Sequence, residues 1–297
     1  MNNSLTQSAR KLRLSGLLSS LELRLQEAQA HQLSHAQFLE LVFQDELNVR
    51  QQRLIERHQK LASFRETKTL EDFQWSFNTA IKREQIYQLA SGQFIRQRRD
   101  LLLIGPPGVG KSHLAQAIGQ HAIKAGFLVL YRSIFDLVRE LQAEASPAEL
   151  DRRLARYLKP DLLIVDDMGL KSLPAKAGEV LLEIILRRYE NRSTLMTSNR
   201  PIEEWGKLLN DAPAATAILD RFLHHAEVIQ ITGRSYRLNE AAARYHELKE
   251  DREKATSKNQ PNQNQPLEKA DRQKDTDKDK DPEAVNNKRR KQPKEPL

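Results

Sequence analysis

The chain has 297 residues, of which 39% are hydrophobic, and this is enough for a soluble globular body with one large core or two modest ones. The absence of cysteine excludes disulfides and thiolate metal sites, and the absence of both a signal-peptide pattern and an ~18-residue apolar run predicts a cytoplasmic protein with no membrane partner. The formal net charge of +8 and the pI near 9.6 favour polyanionic partners, nucleic acid first.

Residues 1–65 are predicted to form an N-terminal helical domain, because they contain no proline and are rich in Leu, Gln, Glu and Arg. Leucines between Leu14 and Leu25 recur at helical spacing and form one apolar face. Ser34 and Gln37 have the spacing of a capping box and begin a second helix.

A third helix is predicted from about Glu46 to Ser63, with an apolar side and a basic side. The apolar side carries Leu47, Leu54 and Leu61, and the basic side carries Arg50, Arg53, Arg57 and Lys60. Such a basic side is often only a solvated face. Beside a nucleotide site in a basic protein, the same four side chains are also candidates for binding DNA through its phosphates.

The segment that follows leads to the ATPase region, predicted over residues 66–250. Its aromatic cluster is interpreted as core, and a helix is predicted from Thr79 to Phe94. The members of the cluster are Leu70, Phe73, Trp75 and Phe77.

A phosphate-binding loop is the strongest motif of the chain. The apolar run Leu101–Ile104 predicts a buried strand, G-x-x-x-x-G-K-S follows it, and a helix begins at Lys111. Glycines let successive N–H groups point at an anion, Lys111 can reach the β- and γ-phosphates, and the Ser112 hydroxyl can bind Mg²⁺. The predicted nucleotide-binding residues are Gly105, Pro106, Pro107, Gly108, Val109, Gly110, Lys111 and Ser112.

Strands and helices alternate after this loop, which predicts an α/β fold with an open, mostly parallel sheet. Helices are predicted from Ser133 to about Gln142 and from Pro147 onward, the second with the basic residues Arg152, Arg153 and Arg156 as further DNA-binding candidates. The predicted strands are Phe127–Tyr131, Leu162–Asp167, Thr194–Asn199 and Val228–Ile231.

Two carboxylates end the strand that begins at Leu162, in the manner of a Walker B motif. A carboxylate at the carboxyl end of a strand lies at the edge where the phosphates bind, so Asp166 is expected to hold Mg²⁺ and Asp167 to polarise the attacking water. Asn199 follows the next strand, where its amide could contact the γ-phosphate. The alternative for Asn199 is a helix N-cap, because Pro201 follows two residues later.

Two arginines further along are candidates for charge stabilisation. Arg221 lies on a helix before the last strand, where ring-forming ATPases carry an arginine that reaches the neighbouring subunit's nucleotide. The alternative is a surface pair with Asp220. Arg237 could contact the γ-phosphate within its own subunit. No metal site is expected at His224 and His225, because no cysteine or carboxylate cluster accompanies them in the sequence.

The C-terminal part is predicted to be a helix from Asn239 to about Lys249 and then a disordered charged tail over residues 251–297. The tail has too few bulky apolar residues to offset its chain entropy. Its basic run from Asn287 to Lys291 could add a weak grip on DNA.

Together these motifs resemble the IstB-type transposition helper ATPases, relatives of the DnaC and DnaI helicase loaders in the AAA+ superfamily. The resemblance implies an AAA+ (ASCE) P-loop NTPase fold, ATP and Mg²⁺ as cofactors, and homo-oligomers that depend on ATP and DNA. It implies double-stranded DNA and a cognate transposase as partners. Carried over by position, Asn199 would be sensor 1, Arg221 the arginine finger and Arg237 a sensor-2 residue. Asp167 departs from the pattern, since most AAA+ proteins have glutamate there.

Three functions remain open from the sequence. A transposition helper would assemble on target DNA and recruit or stimulate a transposase, whereas a helicase loader would remodel a replicative ring helicase. A phosphoryl-transfer enzyme for a small molecule could use the same loop. The paired Asp166 and Asp167 favour water as the nucleophile and argue against the third.

Overall fold

The computed structural model describes residues 3–258, and the part before the sheet is helical. The first helices are α1 (Asn3–Lys11), α2 (Ser15–Ala30), α3 (His35–Ala62), α4 (Arg83–Ala90) and α5 (Gln93–Arg96). The next elements are β1 (Asp100–Ile104), α6 (Lys111–Lys124), β2 (Val129–Ser133), α7 (Ile134–Gln142), α8 (Pro147–Leu158) and β3 (Leu162–Met168). The last are α9 (Ala177–Arg188), β4 (Ser193–Ser198), α10 (Trp205–Leu209), α11 (Ala212–His224), β5 (Ala226–Gln230) and α12 (Tyr236–Lys258).

The described strands form one sheet in the order β2-β3-β4-β1-β5, and every neighbouring pair is parallel. This confirms the predicted α/β P-loop NTPase architecture with a parallel sheet. Helices cover both faces, which explains the uninterrupted apolar sequence of β1. Leu101 and Leu103 enter the core under α6, and Leu102 enters the core under α7 and α9.

Helix α3 is one continuous helix where two were predicted. The capping box at Ser34 and Gln37 is present as expected. No proline or glycine lies between Val42 and Glu46, so nothing in the chain ends the helix there. The Glu46 carboxylate is 4% exposed and accepts hydrogen bonds from the backbone N–H of Gly16 at 2.6 Å, so it caps the start of α2.

The leucines expected on apolar helix faces are only partly buried in this chain. Leu21 is 3% exposed, whereas Leu25, Leu47 and Leu61 are 42%, 59% and 52% exposed. Helical spacing therefore indicated the packed face of α2, around Leu21, but not that of α3, whose buried residues are Val42, Glu46 and Ala62.

Several predicted boundaries differ from the structure. The single helix expected from Thr79 to Phe94 is divided into α4 and α5 by Gly92, whose φ of +75° lies in the left-handed region. Strand β2 begins at Val129 instead of Phe127, and β5 begins at Ala226 instead of Val228.

Helix α12 extends to Lys258 instead of ending near Lys249. Residues 259–297, including the basic run 287–291, lie outside the described part. The unit Met1–His246 contains all the described strands. None of the described helices combines the length and the apolar character needed to span a bilayer.

Candidate nucleotide site

A cavity of about 620 Å³ opens at the carboxyl edge of the sheet and has the size of a small-molecule site. Its walls come from the phosphate-binding loop, the ends of β3 and β4, the segment between α3 and α4, and the start of α12. Of the predicted site residues, the cavity lining includes Pro107, Gly108, Val109, Gly110, Lys111, Ser112, Asp166, Asp167, Asn199 and Arg237. The fold therefore brings most of the predicted nucleotide-site residues together.

The phosphate-binding loop requires glycine at two positions. Gly108 and Gly110 have φ values of +83° and +107°. A Cβ at Gly108 would lie 2.1 Å from Ser235 Oγ, and one at Gly110 would lie 2.7 Å from a ring carbon of Phe73. Both the backbone conformation and the close packing thus exclude a side chain there.

Lys111 is the first residue of α6, and its side chain is turned into the loop. The residue is 5% exposed, and Nζ donates hydrogen bonds to the carbonyls of Gly105 (2.7 Å) and Pro106 (2.8 Å). Burial lowers the pKa of Lys111 to about 8, with Arg237 adding to the effect and Asp166 opposing it. The ammonium is held inside the loop, at the place where it would meet a phosphate.

The Asp166 carboxylate is 1% exposed and is held by three hydroxyl groups. Ser112 Oγ donates to Oδ1 at 2.9 Å, Thr197 Oγ1 also donates to Oδ1, and the Tyr131 hydroxyl donates to Oδ2 at 2.5 Å. Burial and then the negative charge of Asp166 raise the pKa of Tyr131 well above its usual range, so this phenol remains a donor. Ser112 and Asp166, which the sequence assigned separately to Mg²⁺, thus lie side by side, and Tyr131 and Thr197 hold the same carboxylate.

Asp167 has a left-handed backbone with φ of +68°, which is uncommon for a non-glycine residue. Its backbone N–H donates to Thr197 Oγ1 at 3.2 Å, and its Oδ2 accepts from Arg65 Nη1 at 2.9 Å. Burial and then the neighbouring Asp166 raise the pKa of Asp167, while Arg65 opposes this rise. Two adjacent carboxylates therefore have different partners, hydroxyl groups for Asp166 and a guanidinium for Asp167.

Asn199 lines the cavity and does not cap a helix. Its backbone N–H donates to the Met168 carbonyl at 2.8 Å, and the short 3-10 helix Ile202–Glu204 has Pro201 as its N-cap. The N-cap alternative is therefore wrong. Arg237 lines the same cavity near the start of α12, which is attached to the phosphate-binding loop by the Tyr236 N–H to Gly108 carbonyl bond at 2.9 Å.

The aromatic cluster before α4 has a double role that the sequence did not indicate. Phe73 packs against the core as predicted, but it also lines the cavity together with Phe77. Phe77 contacts Tyr236 edge to face, with ring centroids 5.2 Å apart. Arg65, Tyr131 and these aromatic side chains were missed as site residues, because they lie far from the loop and the Walker B motif in sequence.

Arg221 is not among the residues that line the cavity. Its guanidinium pairs with Asp220 at 2.9 Å, as in the alternative interpretation, and lies 5.6 Å from the centre of the Tyr189 ring. The side chain is 48% exposed, so it remains accessible to a neighbouring subunit. A role in trans stays a prediction.

A carboxylate does accompany the two histidines after Arg221, contrary to expectation. Glu190 Oε1 lies 3.2 Å from His225 Nε2, and the Tyr189 hydroxyl lies 2.6 Å from His224 Nδ1. The loop after α9 brings this carboxylate to the end of α11.

The DNA-binding candidates lie on α3 and α8, and many of them have partners within the chain. On α3, Arg50 pairs with Glu46 at 2.7 Å and Arg53 donates to Ser15 Oγ at 2.5 Å, whereas Arg57 and Lys60 are exposed. On α8, Arg153 pairs with Glu149, Arg156 pairs with Glu140, and Arg152 Nε donates to the Ala148 carbonyl. Arg57 and Lys60 are consequently the stronger candidates.

Comparison with known proteins identifies a family that this chain matches. Residues 7–243 match the family model described as "IstB-like ATP binding protein". The chain is 36% identical over 230 residues to the protein named for ATP binding in insertion sequence IS21 of Pseudomonas aeruginosa, covering 77% of this chain and 87% of that protein. It is 35% identical over 213 residues to the corresponding IS5376 protein of Geobacillus stearothermophilus, covering 72% and 85%. Among solved structures, DnaI is 25% identical with a TM-score of 0.46, covering 59% of this chain and 92% of DnaI.

Proposed function

The chain belongs to the IstB-like ATP-binding protein family, and on this premise we propose that it is an ATP-dependent, DNA-binding helper protein for the transposition of an insertion sequence. It is an ATPase with a P-loop of the AAA+ type. We infer further that it assembles as an oligomer on double-stranded target DNA and there recruits or stimulates the transposase of the same element.

The residues around the cavity support ATP hydrolysis as the reaction. Lys111 and the N–H groups of residues 105–112 would hold the phosphates, and Asn199 would contact the γ-phosphate. Asp167 would orient the water that attacks the γ-phosphorus and accept its proton, while the bond between the γ-phosphorus and the β–γ bridging oxygen breaks, so that ADP leaves and inorganic phosphate forms. One observation carries this assignment: the two adjacent carboxylates at the end of β3 have different hydrogen-bond partners, Arg65 for Asp167 and the Ser112 hydroxyl for Asp166.

Mg²⁺ fits the oxygen atoms present beside this loop. Ser112 Oγ and the buried Asp166 carboxylate are the kind of hard donor that this ion prefers, and they already lie 2.9 Å apart. When bound, the ion would neutralise part of the charge that develops on the β- and γ-phosphates. Tyr131 and Thr197 would keep Asp166 in a single orientation.

The names of the relatives favour the transposition helper over the helicase loader. The IS21 and IS5376 proteins belong to insertion sequences, and this chain covers 87% and 85% of their lengths. Exposed basic residues on α3, Arg57 and Lys60 above all, offer phosphate contacts that do not depend on base sequence.

Assembly of the proposed oligomer on DNA can be tested by sedimentation. The protein is mixed with duplex DNA in the presence of ATP, of ADP or of no nucleotide. Large protein–DNA complexes are expected with ATP only, and a Lys111→Ala variant should not form them. In a strand-transfer assay, the ATP-bound complex should then stimulate the transposase of the same insertion sequence. Stimulation of a ring-helicase loading reaction, without any effect on strand transfer, would instead support a loader.

A further inference from the structure

Arg65 is a charged side chain in the nucleotide site to which neither the sequence motifs nor the family match assigns a role. Its Nη1 donates to Asp167 Oδ2 at 2.9 Å, and its Nη2 lies 3.9 Å from Asp136 Oδ2 on α7. The side chain is 51% exposed, whereas that of Asp167 is 18% exposed. A partly exposed guanidinium thus covers one oxygen of the carboxylate that is proposed to polarise water.

The residues on either side of Arg65 fix its position against α6. The Phe64 ring lies 5.9 Å from the Tyr131 ring, and a Cβ on Gly119 would lie 2.8 Å from a carbon of the Phe64 ring. Glu66 N–H donates to Gln116 Oε1 at 3.3 Å. The backbone on both sides of Arg65 is therefore held in place, which keeps the guanidinium within reach of Asp167.

The same segment continues directly from α3. This helix ends at Ala62, which is fully buried, and Ser63 turns the chain through a left-handed conformation with φ of +56°. Helix α3 runs from His35 and carries the exposed basic residues proposed to contact DNA. A displacement of the part of α3 that carries these basic residues would be transmitted to Arg65 through only a few intervening residues.

We propose that Arg65 restrains hydrolysis by holding Asp167, and that a shift of α3 on binding DNA withdraws Arg65 and releases this carboxylate. The proposal rests on the role of Asp167 in the proposed ATPase reaction. Arg65 is a regulatory positioning residue in this arrangement, since it acts on the water only through Asp167.

The charges of Arg65 and Asp167 predict whether removal of the guanidinium raises or lowers the turnover number. An Asp167 oxygen that accepts a hydrogen bond from a guanidinium has less electron density to offer a water molecule, and the paired positive charge weakens the carboxylate as a base. Loss of the guanidinium should therefore speed hydrolysis in the absence of DNA. The pair is partly exposed, so an increase in turnover of about fivefold is expected, equivalent to about 1 kcal/mol at 1.36 kcal/mol per tenfold.

The test compares the DNA-free turnover number and KM for ATP of the full-length protein with those of three variants. Arg65→Gln should raise the turnover number about fivefold without changing KM, and Arg65→Lys should lie between this variant and the parent because it keeps a positive charge. Arg187→Gln is the matched control, since Arg187 is also a partly exposed arginine paired with a carboxylate, Glu183 at 2.8 Å, and it is not among the residues that line the cavity. Its turnover should equal that of the parent.

A second comparison shows whether Arg65 acts through Asp167. In an Asp167→Asn background, adding Arg65→Gln should change nothing, because the restrained group is already gone. An unchanged or lower turnover in Arg65→Gln alone would overturn the proposal, as would loss of nucleotide binding, since a residue that only restrains Asp167 is not needed to bind ATP. An acceleration that persists without Asp167 would also reject it.

Turnover measured with duplex DNA distinguishes a failure of this proposal from a failure of the proposed function. With saturating duplex, the parent should approach the rate of Arg65→Gln measured with the same duplex, because α3 has then released Asp167 in the parent as well. A parent that DNA does not stimulate would contradict the DNA-dependent function, and a faster DNA-free Arg65→Gln would then still support the restraint of Asp167 by Arg65 but not its release by DNA.

Discussion

Proton uptake on binding ATP is a quantitative test of the position of Lys111. Burial lowers the pKa of this ammonium to about 8, and its present partners are two carbonyl oxygens. The phosphates of ATP would place negative charge beside Nζ, which favours the protonated form and raises the pKa again. A proton must then be taken up from the solution when ATP binds, at any pH at which Lys111 of the nucleotide-free protein is neutral.

The amount of uptake follows from the pKa. With a pKa of about 8, roughly 0.8 of the Lys111 side chains are neutral at pH 8.5 and only about 0.1 at pH 7.0. Binding of ATP should therefore take up about 0.8 proton per site at pH 8.5 and about 0.1 at pH 7.0. The sign is fixed, because the bound state of the lysine holds more protons than the free state.

Titration calorimetry in two buffers of different ionisation enthalpy measures this number directly. A Lys124→Ala variant, which removes a lysine from the other end of α6, should show the same uptake as the parent. A Lys111→Ala variant should lose roughly ten- to a hundredfold or more in affinity, because a charge-assisted contact to a phosphate is removed. Zero uptake at pH 8.5 in the parent would mean that Lys111 is already charged in the free protein or does not meet the phosphates.

The other predictions concern hydrolysis, DNA and assembly. Asp167→Asn should keep ATP affinity but lower single-turnover hydrolysis by about 10²–10⁴-fold, and a parental rate would remove Asp167 from the reaction. Neutralising Arg57 and Lys60 together should flatten the slope of log affinity for random duplex against log salt by about 1.8, and an unchanged slope would reject this face as the DNA site. An Arg221→Ala subunit mixed with a Lys111→Ala subunit should recover part of the turnover that both lack alone, since one interface then joins an intact loop to an intact finger. Co-assembly on DNA without any recovery would show that Arg221 does not act in trans.

The sequence predicted the parts of the site that are local in the chain. The loop from Gly105 to Ser112 and the pair Asp166–Asp167 were recognisable because a strand, a turn and a polar tip follow one another within a few residues. The parallel sheet then brought them together as expected, because the carboxyl ends of parallel strands meet at one edge.

The residues that the sequence did not reveal act across long separations. Tyr131 appeared to be an ordinary core residue of a strand, and only the pairing of β2 with β3 places its hydroxyl on Asp166. Arg65 lies just beyond the predicted third helix and belongs to no motif, yet it meets a carboxylate 102 positions further along the chain. No periodicity or motif encodes such contacts, because they depend on how α3 lies against β2 and α6.

The distribution of charge around the cavity suggests why one subunit would be a poor ATPase by itself. Lys111 and Arg237 line its own cavity, but Arg65 is engaged with Asp167, and Arg221 lies outside the cavity lining and pairs with Asp220. Full activity would then need two events, a neighbour that delivers Arg221 and a shift of α3 that frees Asp167. In the proposed function duplex DNA would supply both, because it would align subunits along one template and attract the basic side of α3. Hydrolysis would consequently begin only after assembly, so the ATP-bound complex would persist long enough on DNA to meet its partner.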